Sequence, residues 1–196
     1  MSDSASQRTI DTLPPWLAAQ RSQLVGAQAH ALLLYGPSGL GHYELVLALA
    51  SSWLCEAPDL AERHAAGQGA CGQCASCQQI AARSHTDLRV LMPEITMLEL
   101  GWPLTEKAQK EIDDKKRKPS KEIRIDDVRE AVSFAELTSG RGKAKVILVF
   151  PAESLNTASG NALLKTLEEP QGTLRFVLAT EAVHALLPTI RSRCQA

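Results

Sequence analysis

The chain has 196 residues, 44% of them apolar, and its 21 basic and 22 acidic side chains leave a formal net charge of −1. That supports one ordinary core, with room for a small attached module, and gives no global electrostatic reason to expect nucleic acid, leaving only a local basic face. No apolar run is long enough to span a bilayer and the polar amino terminus lacks a signal-type apolar region, so a cytoplasmic protein is expected.

Residues 1–12 are polar and expected to fray. Pro14-Pro15 opens a helix that places Trp16, Leu17, Leu24 and Val25 on one face and ends near Gly26. The apolar run Ala31–Tyr35 then reads as a strand, followed by a glycine-spaced turn, Gly36-Pro37-Ser38-Gly39-Leu40-Gly41, and a helix to Leu54. Strand, glycine loop and helix form the context of a phosphate-binding loop, in which backbone N–H groups and a helix amino terminus face the anion. A plain α/β turn has the same outline. Against the template G-x-x-x-x-G-K-[ST], the last two positions are His42 and Tyr43. The lysine that reaches the outer phosphates is a histidine, and the hydroxyl that holds Mg²⁺ is a phenol on a bulky ring. Gly36, Gly39 and Gly41 therefore form a degenerate loop that is empty or holds only an anion.

Cys55, Cys71, Cys74 and Cys77 form a second constellation. Two overlapping C-x-x-C steps bring three thiolates round one tetrahedral ion, with Cys55 as a fourth corner at the end of the preceding helix. Four thiolates leave no open position, so the expected metal is structural zinc in a module at about 55–80. A redox pair and unrelated free thiols are the alternatives, and His64 and His85 are rival ligands without the tight spacing.

Asp87–Met92 reads as a second strand, and Pro93–Pro103 is ambiguous. Residues 106–124 are dense in charge of both signs around Lys115-Lys116-Arg117-Lys118. The run is either a phosphate-contacting patch or a solvated insertion, a short polar helix followed by a flexible turn at Pro119. A helix from Ile125 has acidic residues in its first turn and Val128, Val132 and Leu137 as its apolar face. Arg141, Lys143 and Lys145 in GRGKAK face phosphate or simply solvent. Val146–Phe150 is a strand buried on both faces. A working nucleotide hydrolase ends such a strand in Asp-Glu, whereas this chain has Phe150-Pro151, with Glu153 two residues too late. Asn156–Glu169 is helical, with Thr157 or Ser159 as its cap. Leu174–Ala179 is a fourth strand ending at Thr180, Val183–Leu187 is a short helical turn, and Arg191-Ser192-Arg193-Cys194 closes the pattern. Strands alternating with helices give an α/β fold, a P-loop NTPase-like three-layer sandwich with a mostly parallel sheet and an inserted metal module.

The glycine loop, the cysteine module after its helix, Asn161-Ala-Leu-Leu-Lys-Thr-Leu-Glu-Glu-Pro170 and Ser192-Arg193-Cys194 occur in one order. Together they resemble the bacterial clamp-loader subunits of DNA polymerase III, AAA+ proteins that place a sliding clamp on primed DNA. The resemblance covers roughly residues 13–195. It implies zinc on Cys55, Cys71, Cys74 and Cys77, although 15 residues between the first two are more than the pattern leads one to expect. It implies an arginine finger at Arg193, with Arg191 nearby, acting in trans on ATP held by a neighbouring gamma/tau subunit. Thr180 falls at a sensor position. The missing catalytic groups imply the family's non-hydrolysing stator: no ATP held and no intrinsic ATPase, within a DNA-directed DNA polymerase holoenzyme. Its implied partners are gamma/tau, delta and primed DNA, with no membrane. Residues 1–196 then correspond to one AAA+ domain. The family's lid and collar domains follow it, so this chain is expected to be a fragment and monomeric alone. An active ATPase with His42 in place of lysine, and a DNA-binding zinc module, are the rival readings. The resemblance assigns no role to the insertion at Glu94–Lys121.

Overall fold

The structure, a computed structural model, describes residues 13–196, so the expectation for 1–12 lies outside the described residues. Four parallel strands form its sheet: β1 (Ala31–Tyr35), β2 (Leu88–Leu91), β3 (Lys145–Val149) and β4 (Leu174–Thr180), in the spatial order β1-β4-β3-β2. Ala31 lies beside Phe176, Lys145 beside Leu174, and Leu88 beside Val146. All five residues of β3 are buried, as a central strand covered on both faces requires.

Alternation along the strands divides the core in two. Leu32, Val146, Leu148 and Val177 face α1 (Pro15–Leu24) and α2 (His42–Leu54). Leu33, Ile147, Val149 and Phe176 face α7 (Ile125–Glu136) and α8 (Thr157–Glu168). The metal module contributes α3 (Leu60–Ala65) and α4 (Ala75–Ala81); α5 (Glu94–Glu99) and α6 (Glu106–Asp113) precede α7, and α9 (Pro188–Arg191) follows β4. Beyond β1 the sheet continues for one further residue: Gln195 N–H donates to the Ala31 carbonyl at 2.9 Å and its carbonyl accepts from Leu33 N–H at 2.8 Å. No described helix is long and apolar enough to cross a membrane.

Several local expectations are corrected. Trp16 is 61% exposed, because Leu17 and Val25 take the inward positions and a neighbouring helical residue lies 100° round the axis. Phe134, not the exposed Leu137, completes the apolar face of α7. The cap of α8 is Asn156, whose side chain accepts the Ser159 N–H at 2.9 Å. The last helical turn begins at Pro188, whose ring suits a helix start, and not at Val183.

The ambiguous segment after Pro93 is α5, and the turn at Pro119 is pinned. Glu94, buried at 4% exposure, accepts two bonds from Arg117 (2.5 and 2.8 Å), one from Arg124 (3.2 Å) and one from the Ser120 N–H (2.8 Å). Ile95 N–H donates to the Ser120 carbonyl, and Ile123 is fully buried beside Leu155. The charged insertion is thus organised round one inward carboxylate. The Arg117 bonds hold the Glu94 carboxyl at about 2 against the opposing effect of burial. This depressed value contributes stability that is full above the ordinary carboxylate range near 4.5 and is lost as pH falls towards about 2. Glu94→Gln is expected to cost about 2 kcal/mol at pH 7, the worth of charge-assisted bonds to a buried group. In urea unfolding the gap to wild type should narrow steadily as pH falls from about 5 towards about 2.

Candidate functional site

The carboxyl ends of β1, β3 and β4 meet at the glycine loop. Gly41 caps α2 with φ +84°, and a Cβ there would lie 2.7 Å from Leu17 Cδ1, so the turn admits only glycine. His42 is buried at 7% exposure and folds back over the loop: its Nε2 is 3.1 Å from where a Cβ on Gly36 would stand, and its Nδ1 has no hydrogen-bond partner. The ring sits against the loop backbone, where a lysine would extend to phosphate. A cavity of about 320 Å³ opens beside it, lined by Trp16, Tyr35, Leu40, His42 and others, with no lysine or arginine among the described residues of its wall.

Tyr43 is buried too. Its hydroxyl accepts from Trp102 Nε1–H at 2.8 Å, and its ring lies 5.8 Å from that of Phe150, tilted by 39°. The positions that a nucleotide template gives to a Mg²⁺-binding hydroxyl and a carboxylate are therefore two aromatic rings in contact. Glu153 does not replace the carboxylate: Oε1 accepts the Glu181 N–H at 3.2 Å and Oε2 is buried without a partner. Thr180, fully buried, accepts the Ala182 N–H.

The cysteine cluster assembles as expected. The four Sγ atoms of Cys55, Cys71, Cys74 and Cys77 lie within 4.8 Å of one another, with Cys55–Cys74 and Cys71–Cys77 both at 4.0 Å. A tetrahedron of sulfurs ~2.3 Å from one ion has edges close to that length. Gly72, at φ +71°, turns the chain between Cys71 and Cys74. The sulfurs accept backbone N–H bonds: Cys55 from Cys71 (3.3 Å), Cys71 from Cys74 (3.3 Å), and Cys74 from Glu56 and Cys77 (both 3.4 Å). Burial raises the Cys55 and Cys77 thiols. At Cys71 burial, the largest single influence, acts upward, but the N–H groups of Gln73 and Cys74 together with the Cys55 and Cys74 thiols outweigh it and bring that thiol to about 7. These donors fit a metal ion of affinity for thiolate sulfur.

His85 is not a ligand. Its Nδ1 accepts the Asp87 N–H at 3.0 Å, so the Nε2 proton faces Ser76 Oγ at 2.6 Å. Ser76 in turn donates to the Leu54 carbonyl. Among the described residues, neither histidine joins the cluster.

The GRGKAK residues face neither phosphate nor open solvent. Arg141 grips Glu56 at 2.5 and 3.0 Å, and Lys143 Nζ donates to the Cys55 carbonyl at 2.8 Å. Lys145 is buried over the Phe134 ring and donates to the Phe134 and Leu137 carbonyls, with burial lowering its pKa. Asp87 accepts from Ser139 Oγ, Gly140 N–H and Arg141 N–H at 2.8–2.9 Å, fixing this loop against the module. Sequence reasoning singled out the three basic residues without Glu56 or Asp87, whose partners lie more than 50 residues away. Within the central basic run, Lys116 pairs with Asp114 and Arg117 with Glu94 and Glu111.

Arg193 stands at the other end of the sheet. Its partner Glu168 follows Leu167, whose carbonyl bonds to His30 Nε2 just before β1, while the glycine loop follows the last residue of that strand. Its guanidinium pairs with Glu168 in α8, a partner that the motif reading missed although both residues lie in quoted motifs. Arg191 is exposed nearby.

A family model described as DNA polymerase III, delta subunit, matches residues 17–196. The chain is 41% identical over 182 residues to DNA polymerase III subunit delta' of Pseudomonas aeruginosa, covering 92% of this chain and 46% of that protein. It is 35% identical over 186 residues to subunit delta' of Escherichia coli (strain K12), covering 92% and 47%. Against subunit tau of the same strain the figures are 31% over 170 residues, 87% and 21%. The chain thus spans about half the length of these delta' relatives. A crystal structure of a DNA polymerase III gamma subunit-related protein from Thermotoga maritima shares the fold, with a TM-score of 0.54 at 20% identity over 91% of this chain and 44% of that one.

The two rings in contact generate an expected outcome. Tyr43→Thr, which returns the template hydroxyl, is expected to destabilise the chain by about 3 kcal/mol or more because it opens a cavity and strands the Trp102 N–H. Tyr43→Phe, which removes the acceptor alone, should cost about 1 kcal/mol. Urea unfolding of the two variants measures both.

Proposed function

The chain belongs to the family described as DNA polymerase III, delta subunit, and from that premise we propose that it is the AAA+ portion of a non-hydrolysing, delta'-type stator in a clamp loader. In this reading residues 1–196 are a degenerate nucleotide-binding domain that contributes Arg193 to the ATP site of a neighbouring gamma/tau subunit. The delta subunit and primed DNA join it in the assembly, and lid and collar domains follow in the complete protein. The observation that carries the reading is that Arg193 pairs with Glu168 at the entering end of β1, while the chain's own loop follows the other end of that strand. A guanidinium there serves a nucleotide only if another chain supplies it. The ring-filled loop supports the same reading, since ATP hydrolysis needs a cation and a metal-binding hydroxyl at the phosphates. An arginine suits the task because its planar, permanently charged fork stabilises charge on a transferring phosphoryl group.

The complete subunit, reconstituted with gamma/tau, delta, clamp and primed DNA, tests this. Arg193→Ala is expected to lower DNA-stimulated ATP turnover by about tenfold or more. A finger is worth about 10³–10⁵ at its own site, and any other sites in the assembly keep theirs. The isolated wild-type subunit should show no Mg²⁺-dependent turnover. Full turnover by the Arg193→Ala assembly, or robust hydrolysis by the subunit alone, would overturn the proposal.

The metal is proposed to be structural zinc on Cys55, Cys71, Cys74 and Cys77, which would supply the tie between the end of α2 and a module with little core of its own. One zinc per chain by elemental analysis is expected. Cys71→Ser should weaken zinc by more than about tenfold, the loss that even an outer-layer change produces. Hydrogen exchange should rise across residues 56–80 while β3 and β4 stay protected. Unchanged metal content in that variant would count against the site.

A further inference from the structure

The guanidinium of Arg193 is held within its own chain. Nε donates to Glu168 Oε1 at 2.5 Å, Nη2 pairs with the same oxygen, and Nη1 donates to the Thr189 carbonyl at 2.8 Å and Ser192 Oγ at 3.3 Å. Of the five N–H groups of an arginine these contacts use four, leaving one on Nη2. Glu168 grips the Nε edge of the fork, so the remaining N–H lies on the far, end-on edge. The two side chains are 31% and 46% exposed, and an ion pair so open to water adds little to fold stability. It does fix the direction of a long side chain. Glu168 is the last residue of α8 and Arg193 follows α9, so the pair joins two elements at the level where the chain enters the edge of β1.

We propose that Glu168 is the positioning residue for Arg193: it holds the guanidinium, with Thr189 and Ser192, in the orientation in which the free edge meets a neighbouring subunit's phosphate. The assignment rests on the reading of Arg193 as a trans-acting arginine. The advantage is one of preorganisation. A loose arginine must lose its rotamer freedom when it meets the phosphate, whereas one already fixed by three groups brings its donor into place with the docking of the two subunits. Glu168 touches no nucleotide and acts through Arg193 alone.

The test uses the complete subunit in its reconstituted assembly, with kcat and KM for ATP measured in the presence of primed DNA. Glu168→Ala is expected to lower kcat by about five- to tenfold with little change in KM, a loss within the range for a misplaced group. Glu168→Gln keeps an acceptor oxygen and should recover most of the rate. The double variant Glu168→Ala/Arg193→Ala should be no slower than Arg193→Ala, and the Glu168→Ala subunit should unfold within about 2 °C of wild type. A purely structural role for Glu168 would shift the unfolding midpoint and multiply with the Arg193 loss. Either that result or undiminished turnover with Glu168→Ala, where Arg193→Ala is impaired, overturns the positioning role alone. Full turnover with Arg193→Ala overturns the trans-acting reading and the positioning role together.

Discussion

The contact between Tyr43 and Phe150 decides what fills the two positions beside the glycine loop. One residue follows the glycine loop and the other follows β3, and in a hydrolase both positions face the metal and the attacking water. Here their rings are 5.8 Å apart, and the Tyr43 hydroxyl is engaged by Trp102. Neither position can return to metal chemistry independently: a smaller side chain at either one leaves the other ring unsupported in the core. His42 completes the arrangement by lying against Gly36. The loop has kept its backbone shape, glycine turn and helix amino terminus, while its chemical side chains have become packing.

The parallel sheet then sets a polarity. All four strands run the same way, so loops that follow strands gather at one end and segments that enter them at the other. Gln195 bonds to both Ala31 and Leu33, which extends the sheet past β1 and holds the preceding residues at the entering end. Arg193 lies in the turn just before that bridge, and Glu168 at the last turn of α8 meets it there. The same short strand thus leads into the glycine loop at one end and starts beside the Arg193–Glu168 pair at the other.

Much of this was legible in residue order. β1 and β3 announced themselves as short apolar runs flanked by turns, and β4 likewise, because strands buried on both faces need no alternation. The cysteine spacing carried its own geometry, since C-x-x-C steps must bring sulfurs together wherever the module sits. What the chain order hid was pairing at long range. Arg141 read as a solvated or phosphate-facing residue because its partner, Glu56, is 85 residues away. Arg117 reads as part of a basic run, although it is folded over Glu94, which lies in the segment the sequence leaves ambiguous. Trp16 and Leu137 were placed inward by hydrophobicity alone; a small rotation of each helix handed those positions to Leu17 and Phe134. Glu168 sat in a quoted motif without an assigned task because its partner lies 25 residues on, across the helix and strand that intervene.

The metal module shows why such pairings matter to the whole molecule. A divalent ion held by four thiolates would leave its site at −2, an expensive charge to bury against α2. Cys55 and Cys77 are buried, so solvent does little to offset it. The loop before β3 brings Lys143 onto the Cys55 carbonyl as a cation beside the cluster, while the charge of Arg141 is balanced by Glu56. Asp87, at the start of β2, accepts the backbone N–H groups of that same loop and holds it in place. The basic residues that read as a phosphate patch are therefore accounted for by the sheet and the sulfurs. Arg193 lies apart from this arrangement, in an ion pair with Glu168 that is open to water and adds little to the fold.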